Sequence, residues 1–414
     1  MSAITQVKQD MIAEKPMDRL ICGDVGYGKT EVALRAAFKA VQDGQQVLFL
    51  VPTTILAQQH FSNFKARLQP YPILIEMLSR FKTKREQEKI VSAFNRGAVD
   101  ILIGTHRLIQ KDVVPKSLGL IVVDEEQRFG VTHKEKLKVL KANVDVLTLT
   151  ATPIPRTLQM ALSGIRDLSV IETPPNNRQP VITHVGPYNT DMGIEAIKNE
   201  IARDGQVFYL YNQVRTIDSM ANKLKQLVPE AKIAVAHGQL KERQLERTML
   251  DFLNKRYNVL VTSTIIESGI DVPSANTLIV DKAEDFGLAQ LYQIRGRVGR
   301  SAKQAYAYLF YRKRLTDKAL KRLSTLAEHT SLGSGYRIAL RDLEIRGGGN
   351  LLGPEQSGHI AAVGFDLYTH LLQNTLDELK GAKPKPKLRE TDLPLSAFIP
   401  KSYIKEEAIR IDFY

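Results

Sequence analysis

Gly23-Asp24-Val25-Gly26-Tyr27-Gly28-Lys29-Thr30 sets residue types at a spacing that can hold a polyphosphate. Glycines let the main chain curl so that successive N–H groups converge on anionic oxygens. Lys29 brings a point charge to the terminal phosphate, and the Thr30 hydroxyl is placed to ligate Mg²⁺. Much further along, the apolar run Leu118–Val123 ends on Asp124-Glu125. Asp124 stands where a Walker B aspartate is expected and would hold Mg²⁺ through water. Glu125 would polarise an attacking water. The plain alternative is an acidic cap between a strand and a helix. These pieces name a nucleotide, and not the use to which its energy is put.

The elements around these residues read as a layered α/β architecture. Leu20-Ile21-Cys22 is the strand entering the loop, and Glu31–Gln42 is an amphipathic helix with its N-terminus at the phosphates. Gln46–Val51 is a continuous apolar run, as in a strand buried on both faces, and a helix follows from about Leu56. Ile101-Leu102-Ile103 leads into Gly104-Thr105-His106-Arg107, and Val146–Leu149 leads into Thr150-Ala151-Thr152-Pro153. Strands alternating with helices predict a parallel, doubly wound sheet with ligands at the strands' carboxyl ends. Met1–Met17 reads as an exposed helix that Pro16 ends.

Composition narrows the partners. The chain of 414 residues is long enough for two or three domains. It has no stretch near the ~20 apolar residues of a membrane span and no signal-like N-terminus, so no membrane partner is expected. A single cysteine, Cys22, excludes a disulfide framework, and a reducing cytoplasm is the default compartment. Lys+Arg 58 against Asp+Glu 45 gives a net charge of +13, a bias toward a polyanion.

Taken together, the phosphate loop, Asp124-Glu125-Glu126-Gln127 and Thr150-Ala151-Thr152 resemble the superfamily 2 helicase core. The second half adds, in the family's order, Val207–Tyr211 with Asn212-Gln213-Val214, then Ala234–Ala236 with His237-Gly238-Gln239. Ser263–Asp271 and the motif VI sequence Gln293–Arg300 follow. The resemblance implies two tandem RecA-like domains, with ATP and Mg²⁺ in the cleft between them. Domain 1 would span residues 1–172, the Pro- and Asn-rich Thr173–Pro180 would be a hinge, and domain 2 would span 181–311. Lys29, Asp124, Glu125, Arg297 and Arg300 would be catalytic, the two arginines reaching across the cleft to the γ-phosphate. A guanidinium suits that role because its fixed fork meets the charge developing in phosphoryl transfer. The surface alternative is a basic patch on DNA phosphates. Gly23–Thr30, Gly269 and Asp271 would bind the nucleotide, with Asp271 near the ribose. Thr105, Arg107 and Thr264 would couple to DNA, and His237 would be structural.

After motif VI, Arg312–Ser331 and Gly335–Ile345 read as two helices, followed by Arg346-Gly347-Gly348-Gly349-Asn350 and Gln356-Ser357-Gly358. This resembles the translocation motif of RecG fork-remodelling helicases and bacterial transcription-repair coupling factors. It would span 312–380, with Arg337, Arg341, Arg346 and Gln356 relaying cleft closure to duplex DNA. The wording Asp124-Glu125-Glu126-Gln127-Arg128-Phe129-Gly130-Val131 and His359–Tyr368 leans to the coupling factors. Residues 381–414 would be a linker (Ala382–Leu388) and the start of a C-terminal regulatory domain. Coupling factors are longer, with an excision-repair-like region and an RNA-polymerase-binding module that this sequence lacks, so it reads as an isolated motor core or a truncated product. Gln6 and Gln9 are out of register with an adenine-reading glutamine, which leaves the base open. The expected function is an ATP-dependent double-stranded DNA translocase. The alternatives are a RecG-like fork-remodelling motor and a nucleotide-switched DNA-binding module.

Overall fold

A computed structural model describes residues 2–80, 82–126, 129–130, 144–151, 166–171, 173–174, 179–264, 271–301, 303–312 and 315–328, with 335, 338 and 342. Two parallel sheets account for its strands. The first holds β1 (Asp18–Gly23), β2 (Gln46–Leu50), β3 (Ile75–Leu78), β4 (Ile101–Gly104), β5 (Leu118–Asp124), β6 (Asp145–Thr150) and β7 (Asp167–Ile171). Their order across the sheet is β3-β4-β2-β5-β6-β1-β7. The second holds β8 (Ile182–Pro187), β9 (Gln206–Tyr211), β10 (Ile233–Ala236), β11 (Val259–Thr262), β12 (Ala275–Asp281) and β13 (Tyr306–Tyr311), in the order β10-β11-β9-β12-β13-β8. That order repeats the first six strands of the first sheet, so the chain folds the same α/β layer twice.

The apolar runs explain the layering. Every residue of β2 and of β9 is buried, so both faces of each sheet must be covered by helices. In the first half, α1 (Ser2–Asp10), α2 (Lys29–Gln42) and α3 (Thr54–Leu68) close one face around Phe49 and Phe64. Helix α4 (Lys84–Asn95) closes the other through Ile90 and Phe94. In the second half, α5 (Thr190–Ala202) and α6 (Ile217–Leu227) cover one face. The other is covered by α7 (Glu242–Leu253), α8 (Leu288–Arg295) and α9 (Asp317–Glu328). None of the described helices is long and apolar enough to cross a membrane.

Two helices differ from the sequence reading. The N-terminal helix stops at Asp10 and is not simply exposed: Ala3 and Val7 are buried in the first core, and Asp10 pairs with Arg19 of β1. The helix after motif VI begins at Asp317 and not at the expected Arg312. Most of Gly335–Ile345, half of the hinge segment (175–178) and all of 351–414 lie outside the described residues.

Each half opens a central strand on a buried glutamine. Gln46 Nε2 donates to Phe94 O and Val99 O, both at 2.8 Å, while its Oε1 accepts from Lys116 N at 2.8 Å and Ser117 N at 3.1 Å. Gln206 Nε2 likewise donates to Phe252 O at 2.7 Å and Tyr257 O at 2.6 Å. The side chain thus satisfies main-chain groups where a helix and two loops converge on the sheet. Gln46→Leu keeps the volume but strands those groups, so it should cost about 3 kcal/mol of first-domain stability. A denaturant midpoint equal to wild type would show that the four bonds contribute nothing.

Candidate functional site

Strand β1 feeds the glycine loop, and the loop feeds α2. Gly26 and Gly28 both have φ near 81°, a left-handed conformation that side chains resist, and Gly28 is the residue on which α2 begins. The helix therefore starts with its N–H groups at the loop. Lys29 is part-buried, and its Nζ donates to Gly23 O at 2.5 Å and Asp24 O at 2.8 Å. Burial pulls its pKa below the usual lysine value, while Glu125 and then Asp124 push it back up. Cys22 is one strand residue behind the loop. Burial raises its thiol to about 12, which leaves it an inert core group.

Strand β5 ends beside the loop, separated from β1 only by β6. Asp124 is part-buried, with Oδ2 3.2 Å from His60 Nε2. Glu125 is buried at 5% exposure and has φ 51°, a costly conformation for a non-glycine residue. Its N–H donates to Leu149 O at 3.0 Å, so the β5–β6 edge holds the turn that presents the carboxylate. The equivalent strand end in the second sheet carries Asp281. Arg312 forks that carboxylate at 2.6 and 2.9 Å and lies 3.6 Å over the Tyr188 ring, so Asp281 is already neutralised.

The two halves meet at a cleft of about 140 Å³. Lys29 and Thr30 line it from the loop, Asp124 and Glu125 from β5, and Asp271, Arg297 and Arg300 from the second domain. Arg297 is 3% exposed, and Arg300 Nη1 sits 2.8 Å from Asp271 Oδ1. Arg295 takes a different part: it is buried and donates to Leu326 O at 2.8 Å. The arginines of motif VI are thus sorted by direction, two to the cleft and one to α9. The described residues hold no cluster of three metal-binding side chains. Mg²⁺ asks for less, one or two protein oxygens with the rest from phosphates and water, and Thr30 and Asp124 offer that.

Other positions named from sequence fall elsewhere. Thr105 is buried at the start of a short 3-10 turn, and Arg107 forks Asp112 at 2.8 and 2.5 Å, away from the cleft. Thr264 follows β11 and is part-buried. Gly269, Arg337, Arg341, Arg346 and Gln356 lie outside the described residues.

Sequence reasoning missed the polar face of α3. Gln59, His60 and Asn63 line the cleft at helical spacing, a periodicity that could have flagged them. Gln59 pins Asp271 by both main-chain groups, donating to its O at 2.9 Å and accepting from its N at 3.2 Å. A second cross-domain contact joins Glu246 of α7 to Thr54 and to Arg80, whose Nη2 is 2.6 Å away. Both clamps tie α3 or its neighbourhood to domain 2.

Comparisons with known proteins agree with this geometry. The model for the DEAD/DEAH box helicase family matches residues 2–161, and that for the helicase conserved C-terminal domain matches 192–302. The chain is 59% identical over 416 residues to a transcription-repair-coupling factor of Bacillus subtilis (strain 168), covering all of this chain and 35% of the relative. It is 57% identical over 417 residues to one from Staphylococcus epidermidis (strain ATCC 12228 / FDA PCI 1200), covering 36% of that protein. The chain therefore spans about a third of the length of the curated relatives it matches. Among solved structures, RecG bound to a three-way DNA junction superposes with a TM-score of 0.74 at 38% identity, covering 90% of this chain and 50% of that one. Dbp5 of S. cerevisiae bound to RNA and ADP BeF3 superposes at 0.62 and 15% identity, over 83% of this chain and 93% of that one, a likeness of fold alone.

Proposed function

Because the chain belongs to the superfamily 2 helicases, as a motor core of the transcription-repair-coupling-factor kind, we propose that it couples ATP hydrolysis in the inter-domain cleft to movement along double-stranded DNA. One observation carries this reading: Lys29, Glu125, Arg297 and Arg300 line a single cleft although they come from two sheets. Lys29 and the loop N–H groups bind the β- and γ-phosphates. Thr30 and Asp124 would hold Mg²⁺, which would supply positive charge to offset that of the phosphates. Glu125, fixed by the β5–β6 edge, accepts a proton from the attacking water. Arg297 and Arg300 meet the charge that develops on the γ-phosphoryl group, and reach it only when the domains are closed. Closure and reopening of the two halves then become the stroke. Gln59, gripping Asp271, and Glu246, gripping Thr54 and Arg80, hold the closed arrangement.

Steady-state phosphate release with and without duplex DNA tests this. Duplex should raise turnover, and equal rates in both arms would remove the motor. The charge balance of +13 adds a second expectation. Contacts to phosphates release counterions, so log Kd should rise with log salt by about 0.9 per phosphate contacted, with little dependence on sequence. A flat salt response would contradict a duplex-tracking surface. A fork-remodelling motor is the second reading, favoured by the superposition on RecG with its three-way junction. Turnover stimulated by a junction and not by plain duplex would select it. In a protein of the relatives' full length, we infer, the same motor serves repair coupled to transcription.

A further inference from the structure

Asp24, the second residue of the phosphate loop, is 8% exposed, so its carboxylate needs donors to stay in place. Two of them come from outside its own domain. Tyr292 O–H, on α8, donates to Oδ2, and Gly335 N–H donates to Oδ1 at 2.9 Å. These partners are 268 and 311 positions away in the chain. Burial, then the nearby Asp24 charge, raises the Tyr292 pKa, which keeps the phenol a donor.

The steric surroundings fit the same contact. A Cβ at Gly335 would collide with the Asp24 carboxylate and lie 3.1 Å from Ala151 O, so only glycine brings its N–H this close. A Cβ at Gly296, at the end of α8, would lie 3.2 Å from Val25 Cβ. Two adjacent loop residues, Asp24 and Val25, are therefore pressed against the second half.

Asp24 faces both ways. Its main-chain oxygen accepts from Lys29 Nζ at 2.8 Å, the lysine that lines the nucleotide cleft. Its side chain reaches two routes that converge on α9. On one, the Arg295 guanidinium lies 4.9 Å over the Tyr292 ring and donates to Leu326 O at 2.8 Å. On the other, Ile338, helical like Gly335 and one turn beyond it, is fully buried in the core that holds Leu323 and Leu326.

We propose that Asp24 is a positioning residue that transmits the state of the phosphate loop to α9 and to the segment at Gly335, through Tyr292 O–H and Gly335 N–H. This rests on the motor reading above. Hydrogen bonds to a carboxylate are short and directional, so a shift of the loop either carries both donors with it or releases them. Neither Tyr292 nor Gly335 is among the residues that line the nucleotide cleft. Their loss should therefore leave the chemistry standing and cut its link to DNA.

The test measures kcat and KM for ATP, with and without duplex DNA, on the full chain carrying Tyr292→Phe or Gly335→Ala. Tyr292→Phe removes a single oxygen, and thermal melting checks that both variants fold. Without DNA, kcat and KM should stay within about 3-fold of wild type, while DNA-stimulated kcat falls about 10-fold, as expected for one lost bond to a charged group. A purely structural role would lower both rates together. Wild-type stimulation in a folded Tyr292→Phe, or an equal fall of both rates, overturns the proposal. A wild-type chain that duplex does not stimulate would overturn the motor reading first, and that arm is read separately.

Discussion

Lys29→Ala should lower ATP turnover by about 10²–10³-fold and weaken nucleotide binding as well. The lysine is the cation of the glycine loop that lines the cleft, and its Nζ is already held within the loop by Gly23 O and Asp24 O. Glu125 and Asp124 both act on its charge and line the same cleft. Without Lys29, a γ-phosphate would face those carboxylates with Arg297 and Arg300 as the remaining cations named in the cleft. Both ground-state binding and transition-state stabilisation suffer, so KM rises while kcat falls. Isothermal titration with a non-hydrolysable ATP analogue, beside phosphate release, checks both parts. Turnover within a few-fold of wild type would remove Lys29 from the γ-phosphate.

Glu125→Gln should separate binding from chemistry. The amide keeps the shape and can occupy the same left-handed turn, and the N–H bond to Leu149 O is main-chain and survives. What disappears is the proton acceptor, so turnover should fall by about 10²–10⁴-fold with nucleotide affinity little changed. Substantial turnover in this variant would move the role of base to another group.

Much of this site was legible because its signals are local. The glycine loop, the Walker B strand end and motif VI each lie within a short stretch, and long apolar runs such as Gln46–Leu50 mark strands buried on both faces. The edge strand β8 was not legible. Its burial alternates over Ile182–Val185, and it opens on an exposed Ile182 and ends on a glycine and a proline, a pattern without a continuous apolar run. Nor could sequence name the partners that close the cleft. Gln59 and Asp271 are 212 positions apart, and Thr54 and Glu246 are 192 apart. A polar helix face such as Gln59-His60-Asn63 looks like solvated surface until a second domain is set against it. The same holds for Asp24, which reads as a nucleotide-binding position of the glycine loop and also accepts hydrogen bonds from Tyr292 and Gly335 of the second half.

In the proposed motor, closing this cleft moves the protein along duplex DNA. Displacement of a third strand from a DNA triplex measures that movement without requiring the duplex to be unwound. With ATP, the wild-type chain should displace the third strand. Glu125→Gln at saturating nucleotide and saturating protein should bind the same DNA and leave the triplex intact. Failure of the wild-type chain to displace the strand while duplex stimulates its hydrolysis, or equal displacement by Glu125→Gln, would contradict the account.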